Sequence, residues 1–420
     1  MPRVVAVAVF VVFPLLAASL GLTRDASAQI IADQYIVVFN DKVPRANPVA
    51  HDLARRHSLQ VLQVYEHVFR GFAATIPAAS LNSVERDPRV RLVTEDRVVS
   101  AFQQGIPTGV DRINAEYKTN TGVGVHVAIL DTGIDLAHPD LQRNIAGGTS
   151  CTGAPSAQDS SGHGTHVAGI VAAANDGNGV VGVAPEARPW AVQVLNILGA
   201  GSTSTLICGV DFVDSKSPAR GGPITVANMS LGGAGSDDGE CGALNNDPLH
   251  MAICQAVLHG VTFVAAAGNS AANLNGFVPA AYREVLAVTA LADADGKPCG
   301  QGAETSASFD DGFASFSNFA TGADLSHVIA APGVDVYSTY RYGGFATSSG
   351  TSVASAHVAG VAALYIADHP GASPAEVREA LIRMGEPPNV DFRGECQGVR
   401  VSHNNSLLRH PEPVVRADDL

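Results

Sequence analysis

Gly350-Thr351-Ser352-Val353-Ala354-Ser355-Ala356-His357-Val358-Ala359-Gly360 begins a run of small apolar residues that reaches Tyr365. The Gly-Thr approach predicts a turn that delivers Ser352 to the first turn of a helix. That helix is nearly all Ala, Val and Gly, so its neighbours must approach it closely. A hydroxyl at this position lies among the unpaired N–H groups of a helix start, which favour developing negative charge. The placement suits a nucleophile. Serine is also a common helix cap, and the stretch alone leaves both readings standing.

Working outward, residues 105–410 alternate between buried apolar runs and helical stretches. Strands are expected at Val125–Leu130, Trp190–Leu195, Ile224–Met229, Val261–Ala266, Val285–Ala290 and Val328–Ala331. Helices are expected at His163–Ala174, Pro248–His259, Ser352–Asp368 and Pro374–Met384. Several strand segments are near-continuous in Val, Ile and Ala, as in strands covered on both faces. The fold class is therefore α/β, a mostly parallel sheet with helices on both faces. Ligands of such sheets bind beyond the carboxyl ends of the strands.

Three further motifs sit at such ends. In Val127-Ala128-Ile129-Leu130-Asp131-Thr132-Gly133-Ile134-Asp135, Asp131 ends a buried strand. Asp-Thr-Gly also marks aspartic proteases, but these need two carboxylates that share a proton, and the chain holds no second Asp-Thr-Gly or Asp-Ser-Gly. An acid after a strand is otherwise a common turn residue. Ser161-Gly162-His163-Gly164-Thr165-His166-Val167-Ala168-Gly169-Ile170 puts two histidines three apart at a helix start. It is not His-Glu-x-x-His, and spacing offers no third metal ligand; the alternative reading makes His163 a general base with His166 packed behind it. Ala265-Ala266-Ala267-Gly268-Asn269-Ser270 leads a strand into a Gly-Asn turn, where Asn269 either accepts a left-handed backbone or aims its amide into the cleft.

These types make one chemistry together. Asp131 would fix the tautomer of His163 and stabilise its imidazolium, and His163 would take the proton of Ser352. The Asn269 amide and the Ser352 N–H would bind an oxyanion. An esterase of the α/β-hydrolase kind would need Gly-x-Ser-x-Gly and the serine first in the chain, whereas here the serine comes last.

Asp-Thr-Gly-Ile-Asp, His-Gly-Thr-His-Val-Ala-Gly and Gly-Thr-Ser-x-Ala-x-x-His-Val-Ala-Gly, in this order and with the Asn turn, resemble the subtilisin-like serine proteases (subtilases), nearest to secreted proteinase K-like or bacterial alkaline forms. The resemblance implies a secreted serine endopeptidase working through an acyl-enzyme, with Asp131, His163 and Ser352 as triad and Asn269 as oxyanion residue. Asn228-Met229-Ser230-Leu231-Gly232-Gly233 matches the family's segment that pairs with the substrate backbone, so Ser230, Leu231, Gly232 and Gly268 are expected at the substrate. Such pairing is strand addition. Structural calcium is implied as well, through Asp140 and the loop Ala174–Val180 with Asp176, whose hard oxygens suit that ion. Two residues depart from the family's usual pattern: Val353 stands where Met is usual, and Ala356 where Pro is usual. The Cys241–Cys254 region looks longer than the family's usual connection.

The first hundred residues differ in character. They carry a balance of +2 charges against −16 in the rest, and all six cysteines lie after them. The net charge of −14 argues against nucleic acid as a partner. Met1-Pro2-Arg3, the apolar run Val4–Leu22 and Ala26-Ser27-Ala28 form a signal-peptide pattern, with cleavage expected after Ala28. Export permits up to three disulfides, and a Gly/Asn/Asp-rich loop between Cys241 and Cys254 favours a local bridge there.

Residues 29–104 read as strand (Tyr35–Phe39), helix (Pro48–Gln60), strand–turn–strand (Val64–Phe69, Phe72–Ile76), helix (Leu81–Arg86) and strand (Val90–Val99). This β-α-β-β-α-β order is ferredoxin-like. The same order is that of the inhibitory propeptide of subtilases, which implies a zymogen that releases itself by a cut near residues 97–106. The expected organisation is a signal peptide (1–28), a propeptide (29–104), a peptidase body (105–410) and a tail (411–420). The expected partners are protein or peptide substrates and the chain's own propeptide, with no membrane contact after signal removal and a monomeric mature form.

Overall fold

Residue pattern and observed element agree best where burial is complete. The computed structural model describes residues 30–97, 104–116, 118–298, 300–386 and 412–417. The expected signal peptide, most of the linker cut site, Cys299 and Cys396 lie outside the described residues. The described chain divides into two units, one ending at Ala101 and one beginning at Phe102.

The first unit contains β1 (Ile30–Phe39), α1 (Ala46–His57), β2 (Gln60–Tyr65), β3 (Gly71–Thr75), α2 (Ala78–Glu85) and β4 (Val90–Arg97). Its antiparallel sheet runs β2-β3-β1-β4. Val37, Phe39, Leu53, Phe72, Ala74 and Val84 form the core. The first helix stops earlier than expected, because Ser58 takes a left-handed backbone (φ 56°) and Gln60 already belongs to β2. The strand expected at Val64–Phe69 ends at Tyr65, because Glu66 turns to accept the N–H groups of Ala46 and Asn47, both at 2.9 Å. Those are orphan donors at the α1 start.

The second unit contains α3 (Thr108–Arg112), β5 (His126–Asp131), β6 (Gly147–Ser150), α4 (His163–Ala172), β7 (Arg188–Gln193), α5 (Thr203–Ser215), β8 (Ile224–Met229), β9 (Gly233–Ala234), α6 (Pro248–Leu258), β10 (Thr262–Ala266), β11 (Phe277–Val278), β12 (Leu286–Leu291), β13 (Val328–Pro332), β14 (Val336–Tyr340), β15 (Gly344–Ser348), α7 (Thr351–Asp368) and α8 (Pro374–Met384). Seven strands make one sheet in the order β13-β12-β10-β8-β5-β7-β6, and every pairing in it is parallel. Alternate side chains serve opposite faces. Val127 and Ile129 of β5 join a core with α4 and α7, whereas Ala128 and Leu130 join one with α5 and α6. Both faces being dry explains why these strands read as continuous apolar runs.

Seven elements of this unit, α3, β6, α5, β9, β11, β14 and β15, have no counterpart in the sequence reading. Strand β6 is a Gly-Gly-Thr-Ser edge without an apolar run. Helix α5 starts on a Ser202–Thr205 capping box that lacks the usual Glu or Gln. The expected boundary at 410 also cuts through packed structure. Val414, Val415 and Ala417 are fully buried. Ala330 N–H donates to Pro413 O at 2.8 Å, and Val415 N–H donates to Ala330 O at 2.9 Å. Residues 412–417 thus cover the outer edge of β13, which would otherwise offer unpaired backbone groups. Disulfides join Cys241 to Cys254, as expected, and Cys151 to Cys208. Among the described residues no helix is long and apolar enough to cross a membrane.

Candidate active site

The chain order of the parallel sheet reverses at β5, with β7 on one side and β8 on the other. A crevice is expected beyond the carboxyl ends of strands at such a point. Asp131 closes β5 there and is fully buried. Its Oδ1 lies 2.7 Å from Nδ1 of His163, the first residue of α4. The same oxygen accepts the Thr132 N–H at 2.7 Å. The Asp131 charge, ahead of an opposing effect of burial, raises the His163 pKa above its ordinary value.

Gly164 lets these two elements meet. A Cβ there would come within 2.1 Å of Gly133 O and 3.0 Å of Asp131 Cβ. Asp159, absent from the sequence reading, completes the joint. It is fully buried and accepts from Ser161 N (2.8 Å), Gly162 N (2.9 Å) and Thr165 N (3.0 Å). It also accepts the hydroxyls of Thr132 (2.9 Å) and Thr165 (2.6 Å). A carboxylate with these donors caps α4 and favours its N-terminal dipole. His166 faces the other way, its Nε2 lying 3.1 Å from the carbonyls of both Val336 and Ala346. Burial pushes its pKa down to about 4. The two histidines of the motif are therefore not joint metal ligands.

Ser352 is the second residue of α7, a helix whose Val353, Ala354, Ala356 and Ala359 are all buried. Asn269, beyond the end of β10, is held by Thr351, whose N–H and hydroxyl both donate to Asn269 Oδ1 at 2.9 Å. The Thr351 hydroxyl also accepts the Gly268 N–H at 3.0 Å. With its carbonyl oxygen occupied, Asn269 has its amide nitrogen free to face Ser352. A Cβ built on Gly350 would lie 3.0 Å from Ser352 Oγ and 3.3 Å from Asn269 Nδ2. Buried Asn318 pins the turn by donating to Ala267 O (2.8 Å) and accepting from Ser270 N (3.0 Å) and Ala272 N (3.1 Å). Gly268 has φ 103°, and a Cβ there would strike Asn318 Nδ2 at 2.4 Å.

A cavity of about 300 Å³ is shared by His163, Ser230, Leu231, Gly232, Gly268, Asn269 and Ser352. A larger one, about 710 Å³, shares His163 and Ser230–Gly232 with it and adds Ile197–Ser202 as a further wall. Sequence reasoning missed that wall, although exposed Ile197 and Leu198 before a Gly-Ala-Gly turn were a signal. Ser230 does not offer its side chain to this space. Its hydroxyl donates to Ser352 O at 2.8 Å and accepts from Asn228 Nδ2 at 2.8 Å, steadying the start of α7. The strand pair β9–β11 forms a separate two-stranded sheet, Gly233 opposite Val278. Beyond it, Asp238 accepts the N–H groups of Glu240, Gly242, Leu244 and Asn245, folding the longer connection down onto the Cys241–Cys254 bridge.

Of the two expected metal ligands, Asp140 accepts the Val180 N–H at 2.9 Å, while Asp176 pairs with Arg143 at 3.3 Å. The carbonyls of Ala174 and Val180 both point at the Gln104 side-chain amide, at 2.5 and 2.9 Å. Gln104 was not among the residues singled out from sequence.

Comparison with known proteins agrees with this geometry. Residues 122–393 match the Subtilase family and residues 34–102 match the peptidase inhibitor I9 family. The chain is 35% identical over 374 residues to the M-protease of Shouchella clausii, covering 84% of this chain and 87% of that protein. It is 36% identical over 317 residues to subtilisin E of Bacillus subtilis, covering 74% of each. The crystal structure of a cold-adapted subtilisin-like serine proteinase superposes with a TM-score of 0.57 at 29% identity, over 74% of this chain and 97% of that one. The chain belongs to the subtilase family of serine peptidases, with an I9 inhibitor propeptide ahead of the peptidase.

Proposed function

We propose that Asp131, His163 and Ser352 act as the triad of an endopeptidase. The observation that carries this is the 2.7 Å contact from His163 Nδ1 to Asp131, with the same imidazole sharing a cavity with Ser352 and Asn269. Asp131 holds Nδ1 protonated, so Nε2 is the free base that takes the Ser352 proton as Oγ attacks the peptide carbonyl. The tetrahedral oxyanion is met by Asn269 Nδ2 and Ser352 N–H. His163 then returns the proton to the leaving amine. Water repeats the sequence to release the acyl group. The substrate strand lies along Leu231–Ala234, where main-chain pairing gives affinity and Gly232 and Gly268 leave room for a side chain. Labelling with a serine-directed fluorophosphonate tests the assignment. Ser352 is the expected site, and Ser352→Ala is expected to lower kcat by about 10⁶-fold and leave the precursor uncut. Normal release of the N-terminal unit in that variant would refute self-processing.

The N-terminal unit, residues 29–104, is the chain's own inhibitor and is removed by a cut near 97–106. The signal pattern at 1–28 directs export, which fits the two disulfides. The Asp140 loop suits structural calcium. The converging carbonyls of Ala174 and Val180 and the Asp140 carboxylate would supply hard oxygens once Gln104 turned away the Nε2 that now donates to both carbonyls, and bound calcium would brace the loop. Asp176 would first have to leave Arg143.

A further inference from the structure

A second carboxylate cluster lies apart from both the cleft and the Asp140 loop. Strand β12 and the segment near Phe313 meet at a bridge between Leu291 and Phe313, and the chain between them makes an excursion. Asp293, Asp295 and Asp310 line its base, each placing a carboxylate oxygen within 4.8 Å of those of the other two. Asp293 is 3% and Asp310 2% exposed.

The backbone donors at this place do not satisfy the cluster. Asp310 accepts from Ala294 N and Gly302 N, each at 2.7 Å. Asp295 accepts from Lys297 N at 3.0 Å, and Asp293 Oδ1 from Gly296 N at 3.0 Å. Asp293 Oδ2 is buried without a hydrogen-bond partner. A buried carboxylate oxygen in that condition costs several kcal/mol unless something compensates it.

The nearby guanidiniums pair with other carboxylates, although Arg112 Nη2 is itself buried without a hydrogen-bond partner. Buried Arg112 gives its Nε to Asp311 at 2.7 Å and its Nη1 to Glu386 at 3.1 Å. Arg416 also faces Glu386, at 3.5 Å. Two guanidiniums thus answer Asp311 and Glu386, and three further carboxylates remain beside them. Lys297 is exposed.

We propose that Asp293, Asp295 and Asp310 bind a divalent cation, calcium by their hard-oxygen chemistry, which ties the excursion to the end of β12. Three carboxylates, one of them with an open buried oxygen, leave the remaining positions of a six- to eight-coordinate ion to carbonyls and water. Sites of this kind in extracellular modules have Kd values of roughly 10⁻⁴–10⁻³ M. This site does not depend on the Asp140 loop.

The test uses the full chain carrying Ser352→Ala, so that it does not digest itself, freed of metal and titrated with calcium. Adding Asp295→Asn or Asp310→Asn is expected to remove one bound ion per chain, while Asp140→Asn leaves that ion in place. Calcium should also slow amide exchange in peptides spanning 291–298 and 300–313 of the parent, and not in the Asp295→Asn chain. Asp295 is partly exposed and accepts a single local N–H, so this variant decides the matter if Asp310→Asn does not fold. An unchanged calcium count in Asp295→Asn would overturn the proposal and assign the charge balance to a proton on Asp293. Exchange in 291–313 indifferent to calcium would overturn it equally.

Discussion

The two sheets of this chain are stabilised differently. In the N-terminal sheet, β2 carries exposed and half-buried residues along its whole length, and the core rests on a few side chains such as Leu53 and Phe72. In the peptidase sheet, all five residues of β10 and all six of β12 are buried. A small unit buries a smaller share of its surface and is correspondingly marginal. A parallel sheet covered on both faces can hold side chains at its strand ends in fixed positions. The contrast suits an inhibitor that must eventually be discarded and a site that must not move.

The sharpest way to break the contrast is at the most rigid point of the peptidase. Asp131→Asn should lower kcat about 10⁴-fold, because the amide no longer enforces the reactive tautomer of His163. It should also move the acid limb of the pH profile. A general base works only when neutral, and the Asp131 charge raises the His163 pKa, so wild-type activity should fall as pH drops through a value above the ordinary imidazole range. Removing that charge lowers the pKa and shifts the limb of kcat/KM to lower pH. An unmoved limb would mean that another group titrates there.

Phe72→Ala and Phe263→Ala compare the two cores directly, since both side chains are almost fully buried. Each should cost about 3–5 kcal/mol. In the small unit that approaches the whole stability expected of so few residues. Amide exchange on the full Ser352→Ala chain should therefore show residues 30–97 losing protection in Phe72→Ala, with 104–386 unaffected. In Phe263→Ala the body should keep its slowly exchanging sheet. Equal global loss in both would erase the distinction. A smaller effect on catalysis comes from Asn269→Ala, expected to lower kcat about 10²–10³-fold with little change in KM. A loss confined to KM would remove Asn269 from the oxyanion role.

The same contrast governs what could be read from sequence. Buried strands and the Asp131, His163, Asn269 and Ser352 motifs were legible because local order carries them: an apolar run, then a polar residue at its end. Polar residues that act through distant partners were not. Asp159 reaches Thr132 across 27 positions, Asn318 reaches Ala267 across 51, and Arg112 reaches Glu386 across 274. Nothing in a loop sequence marks such a residue, since its meaning lies in what the fold brings to it. The packing of residues 412–417 was not legible for the same reason, their few apolar residues gaining a role only from the open edge of β13.

The mildest departure from the family's usual sequence tests how far this rigidity protects Ser352. Val353 follows Ser352 and is 1% exposed, so it adds no oxidisable sulfur where the family usually has Met. Val353→Met should cost about 1–3 kcal/mol of stability by overpacking the α7 start, with modest loss of activity. Under peroxide the variant should lose activity several-fold faster than the parent, because a sulfoxide beside Ser352 is polar and bulkier in a dry site. Equal rates would point instead to Met229, which ends β8 next to Ser230 and is fully buried. Oxidation there would reach Ser352 through the Ser230 hydroxyl that holds its carbonyl. Durability would then be set by the support under Ser352, and the choice of Val353 would be a matter of packing.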